Sequence, residues 1–234
     1  MTPKPNHRTP IVVVACRVMR SPLVQLLPKA LAEKILFMDY GLHRSPDLMR
    51  RRLQEVIEGI SPPSRVLLGY GLCGNGLLDL HAGKHTLIVP KVDDCIAILL
   101  GSRRAYRQQF DTEPGTYYLS AGWLEAGSHP LGEYQAYLET YGKAETEWIM
   151  DAQYRHYRRL VFVAYSHEEL ERYRPRAMAV ARYCQRWDMR YEEIFESDRY
   201  FRRMAAIIDH PQKQDNGFVV IPPGSRIRWE QFTD

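Results

Sequence analysis

Cysteine is the residue type best suited to chemistry in this chain, and one of its four cysteines lies in a glycine-rich stretch. Residues 65–76 read RVLLGYGLCGNG, which predicts a buried strand at 66–69 and a turn with Cys73 at its tip. Glycine is used where the backbone needs a positive φ or must approach another group closely. Cys73 is therefore a candidate metal ligand or nucleophile.

The elements that must position Cys73 are short apolar strands and amphipathic helices. Strands are predicted at 11–15, 35–38, 66–69 and 86–89, and they alternate with helices predicted at 21–33, 46–59 and 95–100. This alternation favours a parallel sheet with right-handed crossover connections. We therefore expect an α/β fold, Rossmann-like and three-layered, with a mostly parallel sheet flanked by helices.

Reactive side chains follow each of these strands. Open parallel sheets bind ligands outside the carboxyl ends of their strands. In chain order the residues at these ends are Cys16, then Asp39 and His43, then Tyr70 and Cys73, and finally Asp93, Asp94 and Cys95. The fold prediction therefore brings three thiols, one imidazole and several carboxylates to one edge of one sheet.

Three cysteines and a histidine suit a metal. Zinc takes Cys and His ligands tetrahedrally, and a catalytic site keeps one position open. Three cysteines also suit a [4Fe–4S] cluster with one iron left open for substrate. We predict Cys16, Cys73, Cys95 and His43 as metal ligands, with catalytic roles for Tyr70 and Asp94 beside them.

Other interpretations of the same residues stay open. The three cysteines could pack as small buried hydrophobes, as Cys184 does by its place in the apolar stripe of a predicted helix. Cys73 could act as a metal-free nucleophile, or the protein could only bind a small anionic ligand through Arg17 or Arg103. The glycines at 69, 71 and 74 match G-x-G-x-x-G, but the helix predicted after them is too short for a dinucleotide site.

The rest of the chain continues the α/β pattern after an interruption. Residues 131–157 predict helix, and strands return at 160–164, 191–195 and 218–221, with helices at 168–187 and 198–208 between them. We expect a disordered arm at 1–10, an α/β half with the cysteine site at 11–125, a helical insertion at 126–157 and a second α/β half at 158–234. All of these would form one compact domain.

Composition limits the class of protein. The chain has 234 residues, 45% of them apolar, and a net charge of +4, which fits a globular domain. We find no apolar run of about 18 residues and no signal peptide, so we expect a cytoplasmic protein with reduced thiols. Acidic residues interleave the Arg/Tyr-rich segments 154–159, 171–176 and 198–203, which favours a solvated helix face over a nucleic-acid surface. We expect a small-molecule substrate as the partner.

Several blocks carry a family resemblance. The blocks YGLCG at 70–74, DCI at 94–96, LLG at 99–101 and GTYYLSAGW at 115–123, with Cys16 and His43, resemble the prokaryotic family catalogued as domain of unknown function 1638. The resemblance covers residues 11–222. It implies one-carbon or methyl-transfer metabolism, with a corrinoid protein or methyltransferase as partner. Family members often carry His-Asp-Cys at the third block, where this chain has Asp93-Asp94-Cys95.

Overall fold

The structure is a computed structural model that describes residues 9–195, 198–209 and 215–233. The expected arm at 1–10 lies almost wholly outside these residues. Contacts divide the chain into two compact units. The first comprises the described parts of Met1–Arg17, Leu23–Cys95 and Arg202–Asp234, and the second comprises Val18–Pro22 and the described part of Ile96–Phe201.

The described residues contain two sheets. Their strands are β1 Ile11–Cys16, β2 Leu36–Met38, β3 Arg65–Gly69, β4 Thr86–Pro90, β5 Thr116–Leu119, β6 Arg159–Ala164, β7 Arg190–Phe195 and β8 Phe218–Ile221. The first unit holds a five-stranded sheet in the order β2-β1-β3-β4-β8, in which β1 to β4 are parallel and β8 is antiparallel to β4. The second unit holds a parallel sheet in the order β5-β6-β7. The α/β prediction, with mostly parallel strands, is confirmed.

Apolar residues on both faces explain the parallel strands of the first unit. Val14 of β1 pairs with Leu68 of β3, and both side chains are buried. Their neighbours Val13 and Leu67 point to the opposite face and are buried as well. A strand covered on both sides reads as a continuous apolar run, as these do.

Helices flank the strands, and they differ from the sequence prediction at four places. The described helices are α1 Arg20–Leu26, α2 Lys29–Ala32, α3 Pro46–Gly59, α4 Cys95–Leu99, α5 Arg103–Thr112, α6 Ala121–Ala126, α7 Pro130–Tyr141, α8 Lys143–Tyr154, α9 His167–Cys184 and α10 Arg199–Asp209. The helix predicted at 21–33 is interrupted, because Pro28 is extended at ψ 134 and cannot continue α1. The helix predicted at 131–157 is divided by Gly142, whose φ is 72. Helices α5 and α6 were not predicted.

The second unit is built around β6. All six residues of this strand are buried, including Arg159. Helices α6, α8 and α9 contribute to a core cluster over the sheet, with Met150, Tyr173 and Trp187 among its members. Within the described parts of the chain, no helix has both the length and the apolar character needed to cross a membrane.

Candidate functional site

The carboxyl edge of the first sheet carries the thiols as expected. Cys16 is the last residue of β1, and its partner in β2 is Met38, the last residue of that strand. Tyr70 directly follows β3, and Cys95 is the first residue of α4 after β4. The side chains of Cys16 and Cys95 are buried.

Two backbone hydrogen bonds tie the segment after β3 to the segment after β4. The Leu72 N–H donates to the Val92 carbonyl at 3.0 Å, and the Cys73 N–H donates to the Asp93 carbonyl at 2.9 Å. At Gly71 the two segments are so close that an added Cβ would lie 2.6 Å from the Cα of Asp94. Glycine is therefore required at this position for a close approach of two backbones.

These backbone contacts bring two thiols together. The Sγ atoms of Cys73 and Cys95 are 3.5 Å apart, within hydrogen-bonding distance for sulfur. The hydrogen bond with Cys73, followed by burial, holds the pKa of Cys95 well above its usual value, and an opposing hydrogen bond from the Gly71 N–H is too weak to reverse this. Cys73 is the more exposed partner, since its side chain is only half-buried.

The backbone of Cys73 has an unusual conformation. Its φ is 47, and the next two residues, Gly74 and Asn75, have φ values of 65 and 69. A residue other than glycine in the left-handed region costs roughly 1–3 kcal/mol and persists where the surroundings or a function require it. The chain keeps a thiol at a position where glycine would be less strained.

Tyr70 lies among all three thiols. Its side chain is 2% exposed, and its hydroxyl has no hydrogen-bond partner in the described part of the chain. Burial raises the pKa of Tyr70, and negative charge on Cys16, Cys95, Cys73 and Asp39 would raise it further. Because such effects weaken with distance, these four side chains lie near Tyr70. A buried donor without a partner is rare, and each instance requires an explanation.

The carboxylates and the imidazole of the predicted site differ from the thiols in their contacts and exposure. Asp94 packs its backbone on Gly71, and its charge raises the pKa of Cys95. Asp39 was named among the reactive residues at this edge of the sheet, but it was given no role in the predicted site. The ring of His43 is exposed and its Nδ1–H donates to the Tyr40 carbonyl, which leaves Nε2 as the acceptor of the ring.

Cys16, Cys73 and Cys95 are present in the site as thiols. All four cysteines are outside disulfides. Over the ranges 9–195, 198–209 and 215–233, no three His, Cys, Asp or Glu side chains form a ready metal-binding group. Cys184 belongs to the second unit, and burial raises its pKa to about 12, which fits the packing role predicted for it.

The second sheet also carries a buried acid at its carboxyl edge. Glu169, near the start of α9, is 7% exposed and accepts a hydrogen bond from the Tyr165 N–H at 3.2 Å. The Tyr165 hydroxyl lies 3.4 Å from the Ser21 hydroxyl. Burial raises the pKa of Glu169 to about 7, against opposing hydrogen bonds from Tyr165 and Ser21. The Ser166 hydroxyl caps the same helix by accepting from the Glu169 N–H, so the carboxyl group belongs to a helix cap.

Arginines of the Arg/Tyr-rich segments are engaged with carboxylates. Arg174 donates to Glu193 at 2.8 Å, and Arg159 donates to Glu192 at 3.1 Å. A groove of about 750 Å³ in the second unit is lined by Glu147, Asp151, Arg155, Arg182, Tyr183, Arg186 and Trp187. Its Asp151 accepts hydrogen bonds from both Arg186 and Trp187. These guanidinium groups serve local structure in the second unit.

Comparisons with known proteins place the chain in a family. Searches of curated proteins and of solved structures returned no match. A family model described as "Protein of unknown function (DUF1638)" matches residues 37–205, which is well over half of the 234 residues. The match includes Tyr70, Cys73 and Cys95, and Cys16 precedes it. The chain therefore belongs to the DUF1638 family of proteins of unknown function.

Proposed function

We propose that the thiols of Cys16, Cys73 and Cys95 bind a metal ion in a cytoplasmic enzyme. Zinc is the ion we favour, and a [4Fe–4S] cluster is the alternative, since both take thiolate ligands. The observation that carries the proposal is the arrangement around Tyr70. Three thiols lie near a buried hydroxyl that lacks a partner among the described residues, and a buried polar group of this kind requires an explanation such as a bound ligand.

The distance between two of the sulfurs supports this proposal. Zinc–sulfur bonds of about 2.3 Å in a tetrahedron put neighbouring sulfurs ~3.8 Å apart. The Cys73 and Cys95 sulfurs are 3.5 Å apart. Metal binding requires thiolates and releases their protons, so it would replace the hydrogen bond between Cys73 and Cys95. A site with three thiolate ligands also requires the Cys16 sulfur to bind the same metal ion.

Tyr70 and Asp94 would act beside the metal. The Tyr70 hydroxyl, which has no acceptor among the described residues, would donate a hydrogen bond to a ligand atom at the open position. Asp94 would hold the Cys95 segment against Gly71. His43 would become the fourth ligand through Nε2 if its exposed ring turned towards the sheet edge, and otherwise substrate or water would take that place.

The reaction class we propose is transfer of a methyl group to or from sulfur. When bound, zinc lowers the pKa of a coordinated thiol, which then reacts as a thiolate at neutral pH. The family resemblance suggests a corrinoid as the methyl donor or acceptor. Incubation of the protein with methylcobalamin and a small thiol, followed by the visible spectrum of the corrinoid, measures this activity directly.

Metal content tests the site itself. Protein purified without oxygen is expected to contain about one zinc per chain, and a brown colour would instead identify the cluster. Separate Cys16→Ser, Cys73→Ser and Cys95→Ser variants should lose the metal. Cys184→Ser is the matched control and should retain it. Unchanged metal content in the folded triple variant would refute the proposal.

A second candidate function uses Cys73 as a nucleophile without a metal. Its greater exposure compared with Cys16 and Cys95 favours this reading. Limited alkylation at neutral pH should then modify Cys73 first and leave the other two thiols intact. Equal modification of Cys16 and Cys73 would contradict it.

A further inference from the structure

Cys73 and Cys95 differ in access, although their sulfurs are close. Cys73 is half-buried at the tip of the turn after β3, which makes it the more exposed residue of the pair. Cys95 is 6% exposed at the start of α4. A half-exposed thiol 3.5 Å from a buried one is the arrangement in which one sulfur meets an oxidant and the other resolves the product.

We propose that Cys73 and Cys95 form an oxidisable dithiol, in which Cys73 attacks a hydroperoxide and Cys95 resolves it as an intramolecular disulfide. In this proposal Cys95 reacts as well as Cys73. If Cys73 acted only as a nucleophile without a partner thiol, Cys95 would stay inert.

The chemistry balances in two steps. The Cys73 thiolate attacks one oxygen of the hydroperoxide, and the O–O bond breaks. Cys73 becomes a sulfenic acid, and the second oxygen leaves as an alcohol or water after taking up a proton. The Cys95 sulfur then attacks the Cys73 sulfur, a disulfide forms, and the hydroxyl group leaves as water with the Cys95 proton. The two sulfurs together lose two electrons, and the peroxide gains them.

The local backbone supports closure of the disulfide. The sulfurs must approach from 3.5 Å to the ~2 Å of a disulfide bond. The Cys73 N–H is already hydrogen-bonded to the Asp93 carbonyl, two residues before Cys95. The two segments are therefore held side by side in the reduced protein, and the remaining approach involves the thiol side chains and the turn at Cys73.

Oxidation would also regulate the metal site, and this part alone rests on the proposed function. A disulfide removes two of the three thiolate ligands, so a bound zinc ion would be released. The disulfide itself depends only on the sulfur pair. Metal-free protein therefore tests the dithiol, and zinc-loaded protein tests the coupling to the metal.

The experiment treats the full-length protein, reduced and freed of metal by a chelator, with one equivalent of hydrogen peroxide. Intact mass should fall by two hydrogen atoms, and peptide mapping should join the peptides that contain Cys73 and Cys95. Cys95→Ser should accumulate a sulfenic acid at Cys73 that dimedone traps. Cys73→Ser should slow thiol loss at least ~10-fold, because the buried sulfur reacts poorly. Cys184→Ser should behave as the wild type does.

Several results would overturn the dithiol. These are a disulfide between Cys16 and either partner, no disulfide at all, or equal oxidation rates in the wild type and the Cys73→Ser variant. Circular dichroism confirms that each variant is folded, and Cys95→Ala replaces Cys95→Ser if the serine variant is not. Zinc release measured on the loaded protein then decides the regulatory part. If the reduced protein forms the disulfide but cannot be loaded with zinc, the metal site is refuted and the dithiol stands.

Discussion

Gly71 and Asp94 are in backbone contact, and a Cβ at Gly71 would lie 2.6 Å from the Asp94 Cα. Real Cβ atoms do not approach backbone atoms so closely, and backbone cannot rotate away as a flexible side chain can. The same two segments carry Cys73 and Cys95, whose sulfurs are 3.5 Å apart. The absence of a side chain at Gly71 is therefore a condition for the thiol pair.

Gly71→Ala is expected to separate the two segments and weaken the thiol pair. The inserted methyl group forces a backbone shift, which should cost ~1–3 kcal/mol in the free energy of unfolding. Disulfide formation between Cys73 and Cys95 should slow, and zinc affinity should fall. Denaturant unfolding and the peroxide assay measure the two effects.

Gly59→Ala is the matched control for this substitution. Gly59 ends α3, and an added Cβ would meet nothing within 4 Å. Alanine favours helix over glycine by up to ~1 kcal/mol, so this variant should be as stable as the wild type or slightly more stable. If both glycine variants lose the thiol pair, the close contact at Gly71 is not the cause.

Tyr70→Phe distinguishes a role of the Tyr70 hydroxyl in stability from a role in metal binding. The hydroxyl is buried without a partner among the described residues, and leaving such a group unpaired costs ~1–3 kcal/mol. Phenylalanine should therefore stabilise the metal-free protein or leave it unchanged. If the hydroxyl serves a ligand at the metal, zinc affinity should fall by ~10-fold or more.

Tyr165→Phe shows what a partnered hydroxyl does. The Tyr165 hydroxyl lies 3.4 Å from that of Ser21, so its removal should destabilise the protein by ~1 kcal/mol and leave zinc affinity unchanged. Thermal unfolding and zinc titration of both variants make the comparison. Loss of stability in Tyr70→Phe without loss of zinc affinity would assign Tyr70 to packing alone.

Much of the site follows from local sequence, because parallel strands end at one edge. The alternation of apolar strands with helices was enough to predict that Cys16, Cys73 and Cys95 lie at or just after the ends of β1, β3 and β4. The contact between the sulfurs was not predictable. It depends on the hydrogen bonds from Leu72 and Cys73 to the β4 segment and on the positive φ of Cys73, which are tertiary features.

The errors in the fold prediction have identifiable causes. Pro28 stood inside the helix predicted at 21–33, and its known effect on helices should have ended that helix. Helix α5 has little apolar surface, but Ser102 caps it by accepting from the Ala105 N–H at 3.0 Å, so a capping signal was present. The antiparallel pairing of β8 with β4 joins residues far apart in sequence, which periodicity alone does not reveal.

Arg159 should be essential for the second sheet. It is a buried residue of β6, and its guanidinium donates to Thr116 of β5 at 3.0 Å and to Glu192 of β7 at 3.1 Å. Arg159→Met removes a hydrogen-bonded charge that links three strands, and should cost ~3 kcal/mol or more in the free energy of unfolding.

Arg174→Met is the control for Arg159. Arg174 pairs with Glu193 and Glu171, but it is about a third exposed at 35%. Exposed ion pairs contribute ~1 kcal/mol or less, so the loss of stability should be small. Equal losses in the two variants, measured by urea unfolding, would show that the burial of Arg159 does not set its contribution.

Glu169 should make stability fall between about pH 4.5 and 7. Burial raises its pKa in the folded protein from 4.5 to about 7. Within that window the folded state keeps the proton and the unfolded state has lost it. Since the folded state binds more protons there, stability decreases as pH rises, by up to ~3 kcal/mol.

Glu169→Gln removes this titration while keeping the shape of the side chain. The variant should lose less stability than the wild type between pH 4.5 and 7. The free energy of unfolding of the variant minus that of the wild type should therefore increase with pH up to about 7. Glu168→Gln is the control, because its side chain is exposed next to Glu169 and should leave the pH profile unchanged. Urea unfolding across this range measures all three proteins. Parallel profiles for the wild type and Glu169→Gln would show that the buried carboxyl of Glu169 does not retain its proton in the folded state.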